Sequence, residues 1–481
     1  MKATTLRRVL KNTLAVYGKN GFNTTVALLS IAILARYLNL TAFGRYSVII
    51  AFVTIFKVVS TMGVNTILTR EVAKNKDEAV RFYSSALMIQ IILSAITFGI
   101  IAISINIVSS SEIVIKATYL CAIAVIFEFM GKTFSSVFQA FEKMEFDTYK
   151  TFLSQGAYLL GIVAVSKFDL GLIGIFYALL FSNLLDMLFG FFLVQLKFIK
   201  LSLKGNLSEV WFLSKEAIPL GIKRVIRRIG FRIDTLILAT LKSNIEVGLF
   251  HGVFKIVQSA AFVAESSLQA VFPIFSRHYG SSQGSFDLAY EKSFKLLIII
   301  GIPFAVFLSF FSHEVITLVL GKKFIAAVPA LKILSWVIAL MFLSNLMEGV
   351  LIAGGRQRIS TWVAVIALTI NIIFDFLLIP RWSIIGASMA TLFAEFTITA
   401  LSIYYVQKLV TRKRVFREAL KPICSGIITF AILYLLRDIN FIWALILGSF
   451  SYIFMLILTK TITVEERLIL WSALKKKGHV S

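Results

Sequence analysis

Apolar stretches of about 20 residues, each long enough to cross a bilayer, recur along almost the whole chain. That pattern leaves few folds open. A segment in hydrocarbon must satisfy its own backbone hydrogen bonds, so it spans only as a helix or as part of a closed barrel. Barrel strands alternate apolar and polar residues, and these stretches do not. The expected fold is all-α and polytopic. Composition agrees, with 58% hydrophobic and 15% charged residues, where soluble domains run nearer about 25% charged. A soluble enzyme and a disordered chain are both excluded.

Fourteen transmembrane helices are expected, at 13–38, 44–68, 82–108, 114–138, 148–168, 172–196, 216–240, 247–274, 293–312, 326–353, 359–380, 384–407, 417–436 and 440–460. The connections are short, the longest running over 197–215 and 275–292, so no extramembrane domain is expected. The first span is too long for a signal peptide and contains Lys19 and Arg36.

The chain has 49 Lys and Arg against 25 Asp and Glu, a net charge of +24. Nucleic acid is not the expected partner, because basic residues of a membrane protein collect in cytoplasmic loops. With the N-terminus inside, most cations fall on the cytoplasmic side. They include Lys2, Arg7, Arg8, Lys11, Arg70, Lys74, Lys76, Arg81, Lys197, Lys200, Lys204, Arg412–Arg414 and Lys475–Lys477. Both termini are expected in the cytoplasm of a cell-membrane protein. Cys121 and Cys424 lie within spans and indicate no disulfide framework. His251, His278, His313 and His479 lack ligand spacing. No phosphate loop or nucleotide motif occurs, so neither metal nor cofactor is expected.

An internal duplication is legible. NLTAFGRYSVI between spans 1 and 2 matches SNIEVGLFHGV between spans 7 and 8. Gly44 aligns with Gly248, and Lys19 with Lys223 at the same offset. LGLIGIFYALLFSN matches WSIIGASMATLFAE, with Gly174 on Gly386. Repeats of six helices share one topology, related by an axis along the membrane normal. The expected organisation is an N-lobe at 1–204, a C-lobe at 205–410, and helices 13 and 14 with a tail at 411–481. The two lobes are pseudo-symmetric about a central cavity.

Some charges fall where lipid should be. The cations are Lys19, Lys57, Lys132, Lys223, Arg224, Arg227, Arg228, Arg232, Lys255 and Lys332, and the acids are Glu128, Asp186, Asp234, Glu265, Glu348, Asp375 and Glu395. A charge at the bilayer centre costs about 2.5–3.5 kcal/mol on insertion scales, so such residues face protein or water and mark a pathway. Span 7 reads IPLGIKRVIRRIGFRIDTLIL. Treated as one helix, it puts Lys223, Asp234 and Arg227 on one face, with Asp234 pairing in its own helix. Arg232 then lies about 24 Å from the span start, beyond snorkelling range. Lys223, Arg224 and Lys19 stand within snorkelling reach of the cytoplasmic headgroups. Lys57 has no acid nearby in its own helix, whereas Lys132 stands one turn from Glu128. A net-positive interior suits an anionic cargo, and clustered arginines suit phosphate.

The chain resembles the polysaccharide-biosynthesis flippases of the O-antigen translocase (Wzx) type, in the multidrug/oligosaccharidyl-lipid/polysaccharide exporter superfamily. ARYLNLTAFGRYSV, GVNTILTREVA, RIDTLILATLKSNIEVGLF, LGKKFIAAVPALKIL, GVLIAGGRQRI and NIIFDFLLIPRWSIIGASMAT carry the likeness through their order and spacing. The resemblance implies alternating access that moves a polyprenyl-diphosphate-linked oligosaccharide from the inner to the outer leaflet. The diphosphate would sit on Lys19, Lys57, Lys223, Arg224, Arg227, Arg228, Arg232 and Lys255, with the prenyl tail in lipid. Membrane lipids and glycan-assembly enzymes are the expected company, and a monomer the expected state. The alternative is a cation-coupled multidrug or metabolite antiporter, with Asp234, Glu265, Glu348 and Asp375 as coupling or ion-pair acids. A membrane glycosyltransferase would need acidic groups beside an outer domain, and the short outer loops carry only isolated acids such as Glu112 and Asp438.

Overall fold

The computed structural model describes residues 3–61, 63–200, 206–230, 232–279, 282–410 and 415–461, with the backbone alone over 3–10 and 218–228. Arg412–Arg414 and the tail with Lys475–Lys477 lie outside the described residues. Of the described residues 90% are helical, and none forms a strand. Nine helices among them are long and apolar enough to cross a membrane. The all-α polytopic class stands, and fourteen crossings remain the expectation from sequence.

Contacts divide the chain into two compact units. Unit 1 holds 1–259 and 371–387. Its helices are α1 (Ala3–Tyr37), α2 (Leu40–Thr61), α3 (Val64–Lys74), α4 (Ala79–Val108), α5 (Glu112–Ala140), α6 (Met144–Lys167), α7 (Gly171–Lys197), α8 (Leu207–Gly230), α9 (Ile233–Leu241) and the start of α10 (Asn244–His278). α5 packs on α4 and α7, and α6 packs on α1 and α7. One core cluster of this unit joins Tyr83, Phe134, Phe138, Val194 and Leu213. Unit 2 holds 260–370 and 388–481. It contains α11 (Gln283–Phe310), α12 (Ser312–Val319), a 3-10 turn (Lys322–Ala327), α13 (Val328–Ala353), α15 (Val415–Leu435) and α16 (Phe441–Leu458). There α11 packs on α13 and α15, and Val306, Phe311, Leu433 and Ala444 form a small core. The run α14 (Gln357–Val406) supplies residues to both units.

Three expected spans depart from a single straight helix. Span 2 is two helices, α2 and α3, parted where Gly63 takes φ 85°. Only a residue without Cβ enters that region cheaply. Span 7 is also two helices. α8 ends at Gly230, and Arg232 stands at φ −129° ahead of α9. Glycine costs a helix about 1 kcal/mol relative to alanine, and the charges beyond it turn to protein partners. The one-face reading of Lys223, Arg227 and Asp234 therefore does not hold, because a helix break separates Asp234 from the other two. Spans 11 and 12 form the run α14, kinked at Ser383 with φ 47°.

The two aligned glycines meet. A Cβ on Gly44 would overlap the carbonyl of Asn244. One on Gly248 would lie 2.9 Å from the Leu40 carbonyl oxygen and 3.1 Å from the Gly44 nitrogen. The start of α2 thus packs backbone to backbone on the start of α10. Lys242 Nζ donates to the Pro380 carbonyl at 3.0 Å, and Ser383 Oγ donates to Glu246 beside it. The breaks at α9–α10 and in α14 are tied at one place.

Gly44→Val should separate α2 from α10. Overpacking of this kind costs about 1–3 kcal/mol, read as a lowered Tm of the detergent-purified protein. Gly99→Ala, which meets nothing within 4 Å, should leave the Tm unchanged or slightly raised.

Candidate functional site

Unit 1 encloses a cavity of about 890 Å³ between α1, α3, α5, α6 and α7. Leu179 is its one apolar lining residue, and the other walls carry Lys, Arg, Asp, Glu, Asn, Gln, Ser and Thr. A polar space this large between apolar helices needs an electrostatic explanation, and three sets of ion pairs supply it. Lys19 Nζ of α1 donates to Asp147 Oδ2 of α6 at 2.7 Å. Lys150 Nζ donates to Asp186 Oδ2 of α7 at 2.7 Å and to the Gly131 carbonyl at 2.9 Å. Glu128 of α5 accepts from both Lys57 of α2 and Lys132 one turn on.

Hydroxyls and amides complete the walls. Ser154 Oγ donates to Asp186 Oδ1 at 3.2 Å. Thr133 Oγ1 donates to Asn65 Oδ1 at 3.2 Å, and Asn183 Nδ2 to the Ala124 carbonyl at 3.0 Å. At the end of the cavity beside α8, Arg70 donates to Glu71 at 2.6 Å and to Glu216 at 3.0 Å. Burial alone would raise the Glu71 carboxyl, but hydrogen bonds from Lys74 and Arg70 outweigh it and hold the group below the ordinary range.

A second polar group gathers elsewhere in unit 1. Arg232 is 8% exposed between α8 and α9. It stands within electrostatic reach of His251 and Lys255, both on α10. The His251 ring is flanked by Phe43 at 6.3 Å and Tyr46 at 6.4 Å between centroids. Neither of its nitrogens meets a hydrogen-bond partner among the described residues. The Asp375 carboxyl of α14 is buried and faces that of Asp234 on α9. No donor among the described residues reaches either Asp375 oxygen. Asn371, one turn earlier, is also buried, and its amide nitrogen meets no acceptor there.

The candidate cations thus fall into two groups instead of one. Lys19 and Lys57 belong to the paired network, and Lys57, with no acid nearby in its own helix, meets Glu128 of another helix. Arg232 and Lys255 belong to the second group. The side chains of Lys223, Arg224, Arg227 and Arg228 lie outside the described residues. Among the acids, Asp234 and Asp375 meet, whereas Glu265 and Glu348 belong to unit 2. Glu265 is exposed, and Glu348 accepts from Ser360 Oγ at 3.5 Å. Sequence reasoning missed Lys150 and Asp147, which sit at the border of the fifth apolar stretch. It also missed His251, which has no spacing signal.

A family model described as polysaccharide biosynthesis protein matches residues 9–278. The chain belongs to that family. A second model, MatE, matches residues 219–377. Two of the family relatives are the capsular polysaccharide biosynthesis protein CapF of Staphylococcus aureus and the teichuronic acid biosynthesis protein TuaB of Bacillus subtilis. CapF is 27% identical over 44% of this chain and 53% of its own length. TuaB is 29% identical over 28% of each. The chain therefore spans about half or less of the curated relatives it matches. Among solved structures, the lipid II flippase MurJ in an inward closed conformation superimposes with a TM-score of 0.78 at 15% identity, over 95% of this chain and 100% of that one. An inward-facing multidrug resistance MATE transporter gives 0.66 at 14% identity, over 80% and 95%. At these identities the likeness is one of fold, and the shared fold is that of membrane transporters.

Lys150 is 3% exposed, so Lys150→Met strands the Asp186 carboxylate. Removing one partner of a buried pair costs about 3–5 kcal/mol, which a large fall in Tm should report. The double variant Lys150→Met with Asp186→Leu should recover most of that loss.

Proposed function

We propose that this protein is a flippase that carries a polyprenyl-diphosphate-linked oligosaccharide from the inner to the outer leaflet by alternating access. The carrying observation is the gathering of Arg232, Lys255 and His251 beside the break between α8 and α9. Buried cations suit a diphosphate, which takes charge-assisted hydrogen bonds from Arg and Lys. Lys223, Arg224, Arg227 and Arg228 belong to α8, the helix that precedes Arg232. The prenyl chain stays in lipid, where many large apolar side chains are exposed, Ile107, Leu160 and Phe450 among them.

Family membership supports the glycan, since the matching relatives act in capsular and teichuronic polysaccharide biosynthesis. In the proposed orientation both termini are cytoplasmic. Two six-helix lobes, 1–204 and 205–410, work about a central cavity, with 411–481 peripheral. The protein acts as a monomer beside the enzymes that assemble the glycan.

Asp234 and Asp375 are the coupling acids of this proposal. Two ionised carboxylates at close range repel, and a proton or cation shared between them removes that repulsion. Loading and release of that cation alternate with cargo movement. The same pair supports a second reading, a cation-coupled antiporter for drugs or metabolites, which the MatE match over 219–377 also favours.

The test is flipping of fluorescent polyprenyl-diphosphate oligosaccharide in liposomes. Arg228→Ala with Arg232→Ala should slow it by about tenfold or more, since losing a hydrogen bond to a charged group costs about 1.5–3 kcal/mol. Undiminished flipping by the folded variant would overturn the cationic-path assignment. Asp375→Asn should abolish dependence on an imposed proton or sodium gradient. Gradient-driven drug efflux without glycan flipping decides for the second reading.

A further inference from the structure

The bundle cavity of unit 1 has a composition that an anion site does not need. Its lining cations are already matched: Lys19 by Asp147, Lys132 by Glu128, Lys150 by Asp186, and Arg70 by Glu71 and Glu216. A diphosphate entering here would displace carboxylates one by one. The remaining polar lining residues are neutral and include several acceptors. Ser135, Ser136 and Thr151 donate their hydroxyl protons to carbonyls one turn back in their own helices, which leaves their oxygen lone pairs as acceptors. Asn23 Oδ1 is buried and meets no donor among the described residues. Gln155 adds an amide to the same walls.

A ligand that fits is rich in O–H donors, carries no net charge and needs no apolar surface. We propose that this cavity is a subsite for neutral sugar residues of the cargo, distinct from the basic group at Arg232 and Lys255. This rests on the flippase reading. Its volume of about 890 Å³ lies within the about 300–1,000 Å³ of small-molecule sites. The ion pairs have a defined part in it: they keep the walls polar and rigid while cancelling the charge that would otherwise recruit free phosphate. Selection for the glycan is thereby separated from capture of the diphosphate.

Two measurements test this and fail separately from the flippase reading. The first needs no transport. In full-length protein with Cys424→Ser, Asn23→Cys sets one thiol in the cavity wall, and Cys121 is buried. Maleimide labelling of that thiol should be slowed, saturably, by at least one of the neutral trisaccharides of glucose, galactose or N-acetylglucosamine, and not by pyrophosphate. Protection by pyrophosphate alone, or by no sugar at millimolar concentration, overturns the subsite. The second uses liposomes and two cargoes, polyprenyl diphosphate bearing a trisaccharide and polyprenyl diphosphate bearing none. Asn23→Leu and Gln155→Leu remove polar groups for which no hydrogen bond is seen among the described residues. They should slow the glycosylated cargo by about tenfold, equivalent to about 1.4 kcal/mol, and leave the bare one within about twofold. Equal slowing of both cargoes, or of neither, overturns the proposal. Absence of any flipping by the unaltered protein, with sugar protection intact, overturns the flippase reading and leaves the subsite standing.

Discussion

The bundle of unit 1 depends on charge compensation between its helices. An ion moved into low dielectric loses several kcal/mol of solvation, and only close partners with good geometry return it. Asp147, Lys150, Asp186, Glu128, Lys19, Lys57 and Lys132 meet that demand across five helices. Each acid accepts from a lysine, and Lys150 uses a backbone carbonyl as well. The pairs fix which faces of α1, α2, α5, α6 and α7 turn inward more sharply than apolar packing can, since one hydrophobic face fits lipid as well as protein. They also hold open a polar cavity that apolar side chains would fill.

The second organising feature is where helices stop. α2 gives way to α3 at Gly63, α8 to α9 after Gly230, and α14 kinks at Ser383. Each interruption frees backbone groups that hydrocarbon cannot satisfy. In unit 1 these groups lie near charged or hydroxyl side chains, as at Lys242, Glu246 and Ser383. The contact of Gly44 with Gly248 adds a backbone approach that no side chain can mimic. Buried charges follow the interruptions: Arg232 and Asp234 flank one, and Asp375 stands two turns before another.

Much of this was legible in the residues. The helical class, most helix borders and the separation of 359–380 from 384–407 follow from apolar run length. The pairing of Glu128 with Lys132 follows from a four-residue spacing. The match of Gly44 to Gly248 marked the place where two helix starts meet. The partner of Lys57 was not legible for a physical reason, because its acid lies 71 residues away and no local spacing signals such a partner. Lys150 and Asp147 escaped notice because an apolar-run reading discounts charges at the edges of runs. Asp234 was assigned to a helix face that exists only if the helix is continuous.

By itself, then, the sequence determined a helical membrane fold, the stock of buried charge and the excess of positive sign. These are sums over short windows, set by the cost of bare backbone and bare charge in hydrocarbon. Only the tertiary structure decided which charges neutralise one another. That choice depends on distances between side chains far apart in the chain, and electrostatic energy in a low-dielectric interior varies steeply with those distances.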